Sequence, residues 1–169
     1  MNRLMAIKEL LLKVMRTAYD AETLLYQNLS EVDASLLSNE VREFIGLELK
    51  RKRTHKVRLE AAFAILHEEA AGAEDDLVRE LTNFKKQLAV KIGVSGDSDD
   101  ILIMISQVIR THLINAYQVA VTCASVLGYM HVARILRKAL ISEKQLLRKL
   151  DHVQHFRAQM GKEIKTVDE

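Results

Sequence analysis

The chain has 169 residues, 49% of them hydrophobic and 28% charged, with a formal net charge of +2. That balance excludes a disordered chain, and a charge so near zero argues against nucleic acid or an acidic membrane as partner. A lone cysteine, Cys123, excludes an intramolecular disulfide and fits a reducing compartment. Proline is absent and there are six glycines, so long unbroken helices are expected. The length fits a single domain over residues 1–169 that buries its apolar surface without staples.

The first long helix is expected over residues 2 to about 30, ending in the polar stretch Ser30-Glu31-Val32-Asp33. Its opening is mostly apolar, but Lys8, Glu9 and Lys13 interrupt it and no small-residue cleavage site follows, unlike a targeting signal. Leu11, Met15, Ala18, Glu22, Leu25 and Leu29 recur in steps of four and three, which keeps one face inward and puts Glu22 in the middle of an apolar stripe.

Ser38 is the expected N-cap of a second helix running from about Asn39 to Ala71, with Gly72 as its stop. Within it Lys50, Arg51, Lys52 and Arg53 are consecutive. At roughly 100° per residue they go nearly round the helix, so at least one lies in or beside the packed seam. Val41, Ile45, Glu48, Lys52, His55, Leu59, Ala62 and Leu66 form a seam-like series that places Glu48 and His55 two turns apart on one face. A shorter helix follows, from Glu74-Asp75-Asp76 to Ile92, with acids at its positive end.

Gly93, Ser95 and Gly96 mark the clearest break. The third long helix, led in by Asp97 to Asp100, spans about Ile101 to Leu127, with Gly128 as C-cap. There Ile105, Val108, His112, Ala116, Val119 and Cys123 place His112 in an apolar stripe. Ile101 to Val108, the longest charge-poor stretch, falls far short of the ~20 residues of a membrane span. The last helix spans about His131 to Lys162, and Leu136, Leu140, Glu143, Leu147 and Leu150 repeat the pattern of an apolar stripe interrupted by a glutamate. Four long helices with one short helix in a long crossover make an all-α, antiparallel four-helix bundle. A soluble, cytoplasmic protein with no membrane or nucleic-acid partner is expected.

The chemistry turns on what the buried glutamates meet, because an isolated buried charge is very costly. The two answers a bundle offers are a metal ion and a basic side chain from a facing helix. Glu22, Glu48, His55, His112 and Glu143 would be a mixed carboxylate and imidazole set suited to Fe, Mn or Zn. Against a metal, the Glu-x-x-His spacing of di-iron bundles is missing at seam positions. No Gly-rich phosphate loop, Cys-x-x-Cys or nucleophile with a recognisable base is present, so the reading leans away from an enzyme.

Several segments carry a resemblance. Thr17-Ala18-Tyr19-Asp20-Ala21-Glu22-Thr23-Leu24-Leu25 resembles the first-helix motif of the YciF/YciE-type ferritin-like proteins, a rubrerythrin-related bacterial stress-response family. Arg58 to Phe63, Ile114-Asn115-Ala116-Tyr117, Leu127-Gly128-Tyr129 with Val132 to Leu136, and Ser142-Glu143-Lys144-Gln145 resemble its later signatures in the right order. The resemblance implies a ferritin-like bundle, a homodimer, and acidic and histidine metal ligands on all four long helices. Glu22 and Glu143 match glutamates of that set. Laid on without gaps, Lys50, Arg51 and Arg53 stand where the family has Glu, Glu and often His, Arg110 and Leu113 where it has glutamates, and Leu147 at an acidic position. This implies a stress-associated bundle whose di-iron centre is lost, with no cofactor, its buried glutamates paired with Arg or Lys, and a structural or partner-binding role. The alternative is a rubrerythrin-like oxidase or peroxidase holding Fe or Mn on an altered Glu/His set.

Overall fold

The computed structural model describes residues 2–31, 39–92 and 96–167. The cap expected at Ser38 and the break at Gly93 and Ser95 lie outside the described residues. Five helices are present: α1 (Arg3–Ser30), α2 (Asn39–Ile65), α3 (Asp76–Ile92), α4 (Gly96–Val126) and α5 (Met130–Val167). No strand occurs among the described residues.

The four long helices form an antiparallel bundle in which α1 and α5 each pack against both α2 and α4. The antiparallel course of α1 and α2 is visible in their contacts. Tyr19 meets Phe63 edge to face at 6.3 Å and donates to Glu60 at 2.9 Å, while Lys8, a few turns earlier, pairs with Glu68 at 3.2 Å. The core includes Leu11, Met15, Leu59 and Leu136 of the predicted repeats of four and three, joined by Phe63 and Leu113, all fully buried. Burying an aliphatic side chain of this size stabilises the fold by roughly 1.5–3 kcal/mol each.

The crossover differs from expectation in one place. α2 ends at Ile65 rather than Ala71. His67 takes a left-handed backbone with φ 56°, the Glu68 amide donates to the Phe63 carbonyl at 3.0 Å, and the His67 amide to the Ala64 carbonyl at 3.1 Å. These two bonds make a Schellman cap, which the sequence hides because the left-handed residue is a histidine. Gly72 is therefore not a helix stop. A Cβ there would lie 3.1 Å from both Cβ and Oδ1 of Asp20, so the glycine lets the connection run tightly along α1. The Ala73 amide bonds the Arg16 carbonyl at 3.2 Å and the Asp75 amide bonds Asp20 Oδ2 at 2.9 Å. Asp75 then accepts from the Val78 amide at 3.1 Å, capping α3 where the acidic run predicts. At the far end Gly128, at φ 79°, closes α4 as expected, with Tyr129 N–H to Ala124 O at 2.8 Å.

Because both caps need a left-handed residue and only one has glycine, opposite substitutions should have opposite effects. His67→Gly is expected to stabilise and Gly128→Ala to destabilise, each by about 1 kcal/mol. Urea midpoints of the two variants test this; a loss of stability in His67→Gly would show that its side chain, not its backbone, sets the balance.

Candidate functional site

Halfway along the bundle the apolar seams of all four long helices are interrupted together. α1 contributes Glu22, α2 contributes Glu48, Lys52 and His55, α4 contributes Arg110 and Tyr117, and α5 contributes Glu143, all of them buried. On α2 the inward series is Glu48, Lys52, His55, Leu59, Ala62, Leu66, steps of four and three in which the polar members come first.

The Lys52 ammonium lies between two carboxylates, 2.6 Å from Glu143 Oε1 and 3.0 Å from Glu22 Oε2. The first contact is a directed hydrogen bond, whereas the second is an ion contact without hydrogen-bond geometry. Lys52 is 1% exposed and the two glutamates 0%, so the charges meet where water cannot screen them. His55 Nδ1 faces the same two groups, at 2.9 Å from Glu22 Oε1 and 3.2 Å from Glu143 Oε1. Arg110 bridges Glu143 to Glu48, Nη1 to Glu143 Oε2 at 2.8 Å and Nη2 to Glu48 Oε2, and Arg51 closes on Glu48 Oε1 from the half-buried side. The Tyr117 hydroxyl donates to Glu22 Oε1 at 2.8 Å, its ring edge to face with His55 at 6.1 Å.

The titration of these groups follows from their contacts. Burial alone would raise the Glu143 carboxyl, but the Lys52 charge, the His55 hydrogen bond and the Arg110 charge hold it well below the usual carboxylate range. Burial would lower Lys52, yet Glu143 and Glu22 together raise it, so it stays an ammonium. The same contest raises His55: burial pushes down, and hydrogen bonds to Glu143 and Glu22 outweigh it. Burial and then the Glu22 and Glu143 charges push the Tyr117 phenol far up, so it remains a donor.

Of the residues singled out in the sequence, Glu22, Glu48, His55, Glu143 and Arg110 come together here. His112 does not. It lies on the side of α4 that faces the crossover, its side chain 31% exposed, with Nε2 2.7 Å from Asp75 Oδ2. The stripe that placed it inward has Ile105, Ala116 and Cys123 buried but Val108 and Val119 exposed, while the series facing the cluster is Arg110, Leu113, Tyr117, Ala120, Ala124. The error has a physical cause: α4 packs on α1, α5 and α3, so it is apolar on more than one side. In the basic run, Lys50 and Arg53 are exposed and meet no buried glutamate, Arg51 reaches Glu48 from the edge, and Lys52 alone is fully inward. Lys52, which the seam-like series through Glu48 and His55 turns inward, and not Lys50 or Arg53, meets the buried glutamates Glu22 and Glu143. Leu113 is fully buried and Leu147 is partly buried against the core. Tyr117, missed as a site residue, carried a usable signal: it lies one heptad after Arg110.

Residues 6–163 match the family described as a domain of unknown function, DUF892. The chain belongs to the DUF892 family. No curated protein matches its sequence. Among solved structures, the DUF892 protein is similar to the stress protein YciF of E. coli, with TM-score 0.79 and 17% identity over 90% of this chain and 97% of that one. It is similar also to YcfI of Rhodopseudomonas palustris, with TM-score 0.77 and 21% identity over 86% and 92% of the two chains. A protein from Xanthomonas campestris pv. campestris aligns with TM-score 0.66 and 16% identity over 98% and 99%. These likenesses establish the YciF-type, ferritin-like fold.

Such a fold commonly carries two metals on four glutamates and two Glu-x-x-His histidines. The residues of this DUF892 protein do not fit that centre. One donor atom each from Glu22, His55 and Glu143 lies within 4.8 Å of the others. The Lys52 ammonium already bridges their two carboxylates, Arg110 binds the free oxygen of Glu143, and α4 offers Arg110, Leu113 and Tyr117 instead of carboxylates.

The raised pKa of His55 makes a signed prediction. Its stabilisation is complete below the unfolded value of about 6.5 and is lost as pH rises through the higher folded value. For Glu143, lowered on folding, stabilisation holds above about pH 4.3 and is lost as pH falls through the folded value. Urea midpoints should therefore decline on the alkaline side of about pH 6.5 in the wild type, and His55→Gln should flatten that decline. A wild-type curve already flat there would mean that His55 is neutral in the fold.

Proposed function

We propose that this DUF892 protein is a stress-associated ferritin-like bundle in which a di-iron centre has been replaced by an ionic cluster of the chain's own side chains, and that it acts as a structural or partner-binding element rather than an oxidase. One observation carries the reading: the Lys52 ammonium lies between Glu22 and Glu143, at 3.0 and 2.6 Å. A fixed organic cation there neutralises the carboxylates without open coordination positions for O₂ or peroxide. The stress association rests on the likeness to the stress protein YciF. The family resemblance supports a homodimer. Exposed apolar side chains on the neighbouring helices α2 and α5, among them Phe44, Leu47 and Ile141, support a partner surface. A cytoplasmic location agrees with the lone cysteine, and no helix among the described residues is long and apolar enough to cross a membrane.

A second reading, a rubrerythrin-like oxidase or peroxidase with Fe or Mn on an altered ligand set, is favoured by the convergence of Glu22, His55 and Glu143. Elemental analysis separates the two. Protein purified without chelator, and again after anaerobic loading with Fe(II) and Mn(II), is expected to hold far less than one metal per chain. One or two tightly held ions would overturn the proposal in favour of the oxidase. Independently, Glu22→Gln should lower stability by about 3 kcal/mol, since removing one partner of a buried ion pair strands the other. An unchanged thermal midpoint would remove the pair from the argument.

A further inference from the structure

We propose that Lys52 is the single residue that closes a mononuclear divalent-cation site made by Glu22, His55 and Glu143, its ammonium acting as a tethered substitute for the ion. This inference rests on the reading above and goes further, assigning the exclusion of metal to one side chain.

Three observations point to it. The first is convergence. One oxygen of Glu22, one of Glu143 and a ring nitrogen of His55 lie within 4.8 Å of one another, contributed by three different helices. Carboxylate and imidazole donors bind zinc-like ions at ~2.0–2.2 Å, shorter than the ammonium contacts of 2.6 and 3.0 Å, so the shell is slightly expanded around a larger cation.

The second is independent anchoring. Each donor is held by a group other than Lys52. The Tyr117 hydroxyl fixes Glu22 at 2.8 Å, Arg110 fixes Glu143 at 2.8 Å, and the Tyr117 ring packs on His55 at 6.1 Å. Shortening Lys52 removes the occupant and leaves the frame, as partners behind the ligands are what hold a metal site in shape.

The third is charge. Besides Lys52, the buried carboxylates of Glu22, Glu48 and Glu143 have Arg110, the partly exposed Arg51 and His55 as their basic neighbours. A metal must also displace the His55 proton to take the ring nitrogen, so removing the ammonium and that proton withdraws two positive charges from a dry site, and a dication restores both. The mixed carboxylate and imidazole donors select borderline ions such as Zn(II) and Co(II) over Ca(II) or Mg(II).

The test compares wild type, Lys52→Ala and Lys52→Ala/His55→Ala, titrated with Co(II) and Zn(II) and followed by cobalt absorption, bound-metal analysis and thermal unfolding. Lys52→Ala should bind one Co(II) per chain with visible d–d absorption. At a hundredfold excess over the dissociation constant its thermal midpoint should rise by roughly 5–10 °C. Wild type and the double variant should show neither. If Lys52→Ala fails to fold alone, refolding in Zn(II), but not in Mg(II), is the expected result, since site formation then drives folding. A folded Lys52→Ala that binds no metal, or an unfolded one that Zn(II) does not restore, overturns the assignment to Lys52 and leaves the metal-free reading of the wild type standing. Stoichiometric, His55-dependent binding by the wild type overturns both.

Discussion

An ammonium between two buried carboxylates is the constraint on which this bundle depends. Desolvating Glu22 and Glu143 in the middle of a four-helix core is tolerable only if positive charge reaches them, and Lys52 reaches both. Each contact comes from a different helix, so satisfying the cluster sets the mutual rotation and register of α1, α2 and α5. Arg110 does the same for α4 through Glu143 and Glu48. Apolar seams would hold the helices together equally well but would tolerate a slip of a turn. A charge displaced by one turn would be stranded. The cluster thus specifies the arrangement more than it adds to net stability, because buried ion pairs often contribute little against an apolar replacement.

The crossover is tied to the bundle by smaller polar contacts with the same logic. Asp20 accepts the Asp75 amide, Asp75 caps α3 and receives His112 from α4, and Gly72 lets the backbone lie against Asp20. His112 therefore fastens α3 to α4 and has no part in the central cluster. Two histidines on apolar-looking stripes end in different roles, one deep among glutamates and one at the rim of the bundle beside an N-cap.

In a ferritin-like fold the centre of the bundle is where four helices can aim side chains at one point, and chemistry collects there for geometric reasons. In this DUF892 protein the same place holds a cluster of ionic side chains. Carboxylates come from α1, α2 and α5, an ammonium and an imidazole from α2, and a guanidinium and a phenol from α4. The result is a buried network of carboxylates and fixed organic cations, closed at its half-buried edge by Arg51.

Much of the architecture was legible in the chain itself. The absence of proline, the repeats of four and three, and the glycine at 128 determined four long helices with a short one in the crossover, and Glu22 and Glu143 stood out as charges inside apolar stripes. Those features are local, set by helix geometry and side-chain spacing. Tertiary packing decided the rest. Four consecutive basic residues circle α2, and the series through Glu48 and His55 already turned Lys52 inward, but only packing decided that it would meet Glu22 and Glu143 together. α4 is apolar toward three partners, so periodicity alone could not separate the face bearing Tyr117 from the one bearing His112. The end of α2 rests on a left-handed histidine, a backbone state that side-chain chemistry does not announce. Where a helix keeps one seam, sequence suffices to orient it; where apolarity goes round more than one side, only the neighbouring helices say which residue turns in.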